Sequence, residues 1–166
     1  MRIGSGARVS CLAFGGWLLA GLLGAAASAG EDPAGAAPKA APERFALSVR
    51  VNELNNDKGR VAVALFASPD DFPDQERALA GQLTRIKGGK ASVTFQNLLP
   101  GRYAVAVLHD ENENSKMDFN FLGMPLEGYG FSNDASAPFG PPSFGAAAFR
   151  LGPRPSFVSV KARYFP

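Results

Sequence analysis

In Phe45-Ala46-Leu47-Ser48-Val49-Arg50-Val51 the large apolar residues fall on every second position. That period suits an extended strand with one buried face, because helical spacing would scatter Phe45, Leu47, Val49 and Val51 around the helix. The pattern returns at Arg102–Leu108, where Tyr103, Val105 and Val107 share a face. Strands are expected at Phe45–Val51, Val61–Ala67, Leu83–Lys87, Ala91–Phe95, Arg102–Leu108, Phe144–Leu151 and Phe157–Tyr164. Turn signals lie between them: Asn55-Asn56-Asp57-Lys58-Gly59, Lys87-Gly88-Gly89-Lys90 and Leu98-Leu99-Pro100-Gly101. The first two strands are expected to form a hairpin. Asp74–Ala80 has room for one or two helical turns, capped by Asp74. A long irregular loop runs from Asp110 to about Pro142. Short strands with turn signals and almost no helix argue for an all-β fold, a seven-stranded antiparallel β-sandwich, with a small barrel as the competing architecture.

The N-terminus points to export. Arg2 and Arg8 precede an apolar run from Cys11 to Leu23, and Ala27-Ser28-Ala29 is a small-x-small cleavage site. The apolar run is about 13 residues, short of the roughly 20 that a membrane-spanning helix needs. Residues 1–29 therefore read as a signal peptide, and the mature chain has no membrane span and a periplasmic or secreted location. Residues 30–42, rich in Ala and Pro, read as a flexible linker, and residues 43–166 as the folded domain. Cleavage removes Cys11, the only cysteine, so disulfides cannot staple the domain. It also removes two arginines and no acid, which leaves 15 bases against 15 acids. Balanced charge argues against nucleic-acid binding by bulk electrostatics.

His109-Asp110-Glu111-Asn112-Glu113-Asn114-Ser115-Lys116-Met117-Asp118 carries the most chemistry. Oxygen-bearing side chains at Asp110, Asn112, Asn114 and Asp118 occupy positions 1, 3, 5 and 9 of a calcium loop, and Lys116 falls at position 7, where a backbone carbonyl serves. Ca²⁺ favours such hard oxygen ligands, so it is the candidate cofactor. Ser115 stands where the loop's sharp turn prefers Gly, and Phe121 stands where a bidentate Glu is usual. Glu127 or Asp134 are candidates to complete the shell. The alternative is a metal-free turn whose Asn and Asp side chains bond backbone amides. His109, the sole histidine, would support a hydrolase if it worked with Asp110 or Glu127 as general base. No G-x-S-x-G nucleophile motif accompanies it.

Phe119 to Phe149 holds seven Phe or Tyr punctuated by Gly and Pro. Such a loop is either packed on the core or presents a surface. Tyr129, Phe131 and Asn133 are the candidate ligand surface, facing a glycan or an envelope protein.

The ordered motifs Val93-Thr94-Phe95-Gln96-Asn97-Leu98-Leu99-Pro100-Gly101-Arg102-Tyr103-Ala104-Val105, His109 to Asp118, Phe121-Leu122-Gly123-Met124-Pro125 and Glu127-Gly128-Tyr129-Gly130-Phe131-Ser132-Asn133 resemble bacterial domain-of-unknown-function family 2141. The resemblance covers about Phe45 to Tyr164 and implies a secreted or periplasmic bacterial protein without an assigned activity. Its loop usually has Gly where this chain has Ser115. The phrase Phe95-x-x-Leu98-x-Pro100-Gly101-x-Tyr103 is similar to one in transthyretin-like and carboxypeptidase-regulatory-like sandwiches, which implies fold rather than function.

Overall fold

The computed structural model describes residues 41–153 and 156–165. The expected signal peptide and most of the expected linker lie outside the described residues. Eight strands form two sheets. They are β1 (Phe45–Asn52), β2 (Arg60–Phe66), β3 (Ala80–Thr84), β4 (Ala91–Leu98), β5 (Gly101–Asp110), β6 (Gly128–Phe131), β7 (Phe149–Leu151) and β8 (Ser156–Lys161). One sheet has the order β4-β1-β8; the other runs β3-β2-β5-β6, with β7 pairing the start of β5. The only α-helix among the described residues, α1 (Phe144–Ala147), is one turn long and capped by Ser143, whose Oγ accepts from the Ala146 amide (3.3 Å). Its place in the chain was expected to be strand.

The inner faces of both sheets share one core. Leu47, Val49, Val51, Val93 and Phe95 come from one sheet, and Val61, Val63, Leu65, Val105 and Val107 from the other. The larger sheet is also covered on its outer face. Ala64, Phe66, Ala104 and Ala106 pack there against Phe144 and Ala147, with Phe72 and Phe131 alongside. Strands β2 and β5 are thus buried on both faces, which explains their unbroken apolar sequences. Phe72 sits 5.2 Å from Phe66, 5.6 Å from Phe131 and 6.0 Å from Phe144, ring centroid to centroid. Full burial of a ring such as Phe66 stabilises by about 2–3 kcal/mol.

Three expectations are corrected. The strands among the described residues number eight, and β1 pairs β8 in parallel, so the assembly is not wholly antiparallel. The first two strands are not a hairpin: β1 bonds β4 and β8, while β2 bonds β3 and β5. The intervening segment passes from sheet to sheet, and its Asp57 carboxylate accepts from the amides of Gly88 (2.7 Å) and Gly89 (2.8 Å). Those bonds, Gly89's the stronger influence, hold the Asp57 carboxyl below its ordinary pKa. The tie anchors the connection to the β3–β4 turn instead of letting it fold back on itself. Finally, the long loop after Asp110 contains β6 and a 3-10 turn, and together with α1 beyond it forms the outer cover of the larger sheet.

Asp74 does cap a turn: its Oδ1 accepts from the Glu76 amide (3.0 Å) ahead of a 3-10 helix at Gln75–Arg77. At the passage from β4 to β5, the Tyr103 hydroxyl donates to the Leu99 carbonyl (2.8 Å). This closes the corner where the chain changes sheets, the device by which a tyrosine fixes such crossings.

Candidate functional site

The acidic loop leaves the C-terminal end of β5. Successive residues on a strand face opposite ways, so His109 and Asp110, both fully buried, point apart. His109 Nε2 donates to the Lys58 carbonyl (2.9 Å), since a carbonyl can only accept. In the neutral ring Nδ1 is then the acceptor, and it takes the hydroxyl proton of Tyr164 (2.5 Å). The Tyr164 oxygen also accepts from the Asn55 amide (3.1 Å). Burial raises the Tyr164 pKa, and the Glu111 charge adds to the effect. Glu111 Oε1 lies 3.9 Å from Nδ1. Both imidazole nitrogens are therefore engaged in joining β5 to the 53–59 segment and to the C-terminus. Gly128 makes room for this arrangement: a Cβ there would stand 2.5 Å from the Tyr164 ring.

Asp110 turns the other way, into the loop. Its Oδ1 accepts from the Asn114 amide (3.0 Å) and its Oδ2 from the Ser115 amide (2.9 Å). Arg60 Nε lies 3.7 Å from Oδ2, too far for a hydrogen bond. Register places Arg60 directly across from Asp110. Next to it Gly59, at φ +62°, lies flat on this backbone; a Cβ would fall 2.0 Å from the Asp110 carbonyl oxygen. Two Asx turns follow: Asn112 Oδ1 accepts from the Asn114 amide (3.0 Å), and Asn114 Oδ1 from the Lys116 amide (2.8 Å). The Nδ2 groups of Asn112 (2.6 Å) and Asn114 (3.0 and 3.1 Å) both donate to the Asp118 carboxylate.

Glu127 closes the loop. Oε1 accepts from the Glu111 amide (3.1 Å) and Oε2 from the Asp118 amide (3.3 Å). Burial pushes the Glu127 carboxyl above its ordinary pKa; the two amide bonds work against this, while the charges of Asp118 and Asp110 add to it. Of the two acids considered for completing the shell, Glu127 is part of the loop and Asp134 is not. Asp134 instead accepts from the Lys161 amide (3.4 Å) and, through its carbonyl, from Arg163 (2.9 Å).

Hard oxygens from Asp110, Asn112, Asn114 and Asp118 thus belong to one bonded network, with Lys116 contributing its backbone. The donor chemistry suits Ca²⁺. Two features of the network run the other way. Among the described residues no three of His, Cys, Asp and Glu cluster closely enough to hold a metal ion. The Asn amide groups, moreover, already serve as the positive partners of Asp118.

Between Asp118 and Glu127 the chain forms a small lobe. Asn120 organises it: its Oδ1 accepts from the amides of Leu122 (2.9 Å) and Met124 (3.0 Å). Leu126 N donates to the Asp118 carbonyl (2.8 Å) and closes the base. The lobe's apolar side chains face outward, with Phe121 95% exposed, Leu122 70% exposed, and Phe119 and Leu126 exposed as well. The expected ligand surface is placed differently. Tyr129 and Phe131 are half-buried on β6, with Phe131 against Phe72. Asn133, at φ +60°, donates to the carbonyls of Ala146 (3.3 Å) and Ala148 (3.0 Å), so it fastens α1 to the sheet. Leu122 and Leu126 went unnoticed in the sequence because nothing in their spacing distinguishes outward apolar residues from core ones.

Among the described residues no helix is long and apolar enough to cross a membrane. No curated protein matches the chain, and no solved structure does. A bacterial family described as "Uncharacterized protein conserved in bacteria (DUF2141)" matches residues 49–158, from within β1 to within β8, and the chain belongs to that family.

Proposed function

We propose that this chain is an exported, non-catalytic β-sandwich module of immunoglobulin or transthyretin type. It docks an envelope protein through the lobe at residues 119–126, and a calcium ion in the Asp110–Asp118 loop fixes that lobe. One observation carries the reading: Asp118 and Glu127, which bound the apolar lobe, are both tied into the oxygen-rich loop. A cation would take over from the Asn112 and Asn114 amide groups as the positive partner of Asp118, with Asp110, Asn112, Asn114 and the Lys116 carbonyl as further oxygen donors. The lobe exposes Phe119, Phe121, Leu122 and Leu126, and clustered exposed apolar side chains are a common mark of an interaction site. Export to the periplasm or beyond rests on Arg2, Arg8 and Ala27-Ser28-Ala29. A hydrolase using His109 would need that ring to reach a substrate, whereas it is fully buried against Tyr164 and the Lys58 carbonyl.

The test is thermal melting of the purified protein in EDTA, Ca²⁺ or Mg²⁺, with Asp110→Ala/Asp118→Ala as control. An ion at a hundredfold excess over its dissociation constant stabilises the folded state by about 2.7 kcal/mol, a rise on the order of ten degrees for a domain of this size. The expected result is a Ca²⁺-specific rise, lost in the double variant, with the Phe121 and Leu122 amide signals shifting as Ca²⁺ is added. The absence of any rise reduces the loop to its Asx turns and removes the ion. Capture of a glycan rather than a protein, weakened by Phe121→Ala, would change the partner class.

A further inference from the structure

At the start of β5, Arg102 faces Arg150 of β7 across an antiparallel pair. Facing residues share one side of a sheet, with Cβ atoms about 5 Å apart, and like charges so placed weaken the pairing. Their neighbours Tyr103 and Leu151 are buried in the core, so the two arginines occupy the outer side, and both are exposed. Here the recorded contact of Arg102 is its guanidinium lying 6.0 Å over the Phe144 ring. The Arg150 side chain has no hydrogen bond or ion pair to any described residue. The two side chains border a shallow concavity that also includes Gly101, Gly152 and Ser156.

We propose that Arg102 and Arg150 form a binding site for a phosphate group, free or as a phosphomonoester. A dianion between them turns the cross-strand repulsion into two attractions. Guanidinium forks offer paired N–H donors that match the oxygens of such a group. The Phe144 ring holds the Arg102 end in place, and Gly152, where a Cβ would meet nothing within 4 Å, leaves the backbone open to a close approach. This site is independent of the acidic loop, which lies at the far end of β5, roughly 27 Å away at about 3.4 Å per residue.

The experiment titrates the purified protein with inorganic phosphate against sodium chloride at matched ionic strength, following the arginine Nε–H signals by NMR. The expected result is a saturable shift of the Arg102 and Arg150 signals at millimolar phosphate that chloride does not produce. Arg150→Gln weakens the binding at least tenfold. Arg150→Lys, which keeps the charge and loses the fork, weakens it by a smaller factor. In chloride alone Arg150→Gln melts no lower than the unaltered protein, because a repulsion has been removed. The proposal is overturned if the shift matches that in chloride, or if Arg150→Gln binds phosphate as well as the parent. It is also overturned if Arg150→Gln is clearly less stable in chloride, since that would show the arginine to be held by a protein group instead.

Discussion

Replacing Ser132 by alanine tests whether the outer cover is bonded to the larger sheet or merely lies on it. On one edge, β5 pairs β7 at Gly101–Tyr103 and β6 at Ala106–His109. Between them, at Ala104 and Val105, that edge has no strand partner. The fully buried Ser132 hydroxyl fills the gap: it accepts from the Val105 amide (2.9 Å) and donates to the Ala147 carbonyl (2.6 Å). Alanine fits the space and leaves a donor and an acceptor buried without partners. Each such group costs about 1–3 kcal/mol, so Ser132→Ala should lose roughly 3 kcal/mol in urea unfolding and on the order of ten degrees in melting temperature. The exposed cap Ser143 is the control, and Ser143→Ala should lose about 1 kcal/mol or less. Amide hydrogen exchange supplies a second readout, because the Val105 N–H should change from slowly to rapidly exchanging. A loss within about 0.5 kcal/mol, typical of an ordinary surface change, or an unaltered Val105 exchange rate, would refute the argument.

Two further outcomes follow from the acidic loop. Ser115 adopts φ +64°, a conformation that costs a side-chain-bearing residue about 1–2 kcal/mol, while glycine's extra freedom in the unfolded chain returns about 0.4–1 kcal/mol. Ser115→Gly should therefore raise stability by about 0.5 kcal/mol, and a lower denaturation midpoint would contradict the strain. Glu127 has a raised pKa in the folded state through burial, so between the ordinary glutamate range and that raised value the folded protein binds more protons than the unfolded chain. Its contribution to stability is full below that window and falls as pH rises through it. A melting-temperature profile should show this fall in the parent but not in Glu127→Gln, which loses an acceptor for one amide and so melts lower but with a flatter profile.

Much of the framework was legible because the large apolar residues of β1 and β5 alternate and turn signals bracket β2 and β4, and each is found within a few residues of its expected place. The pairing was not legible. An alternating strand reveals which face is buried, but not whether the next strand lies beside it or across the core; the Asp57 bonds to Gly88 and Gly89 decide that for β1 and β2. Strand β6 was hidden because Gly-Tyr-Gly-Phe lacks β-branched residues. Its glycines sit in the strand because the Tyr164 ring and the Lys161 backbone press against that face. The alanines of β2 and β5 were a usable signal that passed unnoticed. Val63, Leu65, Val105 and Val107 fill the space between the sheets, while Ala64, Ala104 and Ala106 leave room for Phe144 and its neighbours on the other side. In the site, Asp110, Asn112, Asn114 and Asp118, whose spacing was read as that of calcium ligands, lie in one hydrogen-bonded network. His109 and Asp110, adjacent in sequence, face opposite ways because they are successive residues of a strand.

Strand β5 gives these observations a common origin. Its middle is buried on both faces, so its two ends are held by a buried element. At one end Arg102 faces Arg150; at the other His109 fastens Lys58 and Tyr164, and Asp110 anchors the loop that carries the apolar lobe. A ligand at either end gains from this, because a rigid anchor lowers the ordering cost of binding. The ends lie roughly 27 Å apart, more than three screening lengths of about 8 Å at physiological salt. A charge introduced or removed at one end is therefore nearly invisible to the other. Phosphate should not alter the calcium response, and Arg150→Gln should leave it intact. An observed coupling would have to pass through β5 itself, and the Val105–Ser132 contact at its midpoint is the place to interrupt it.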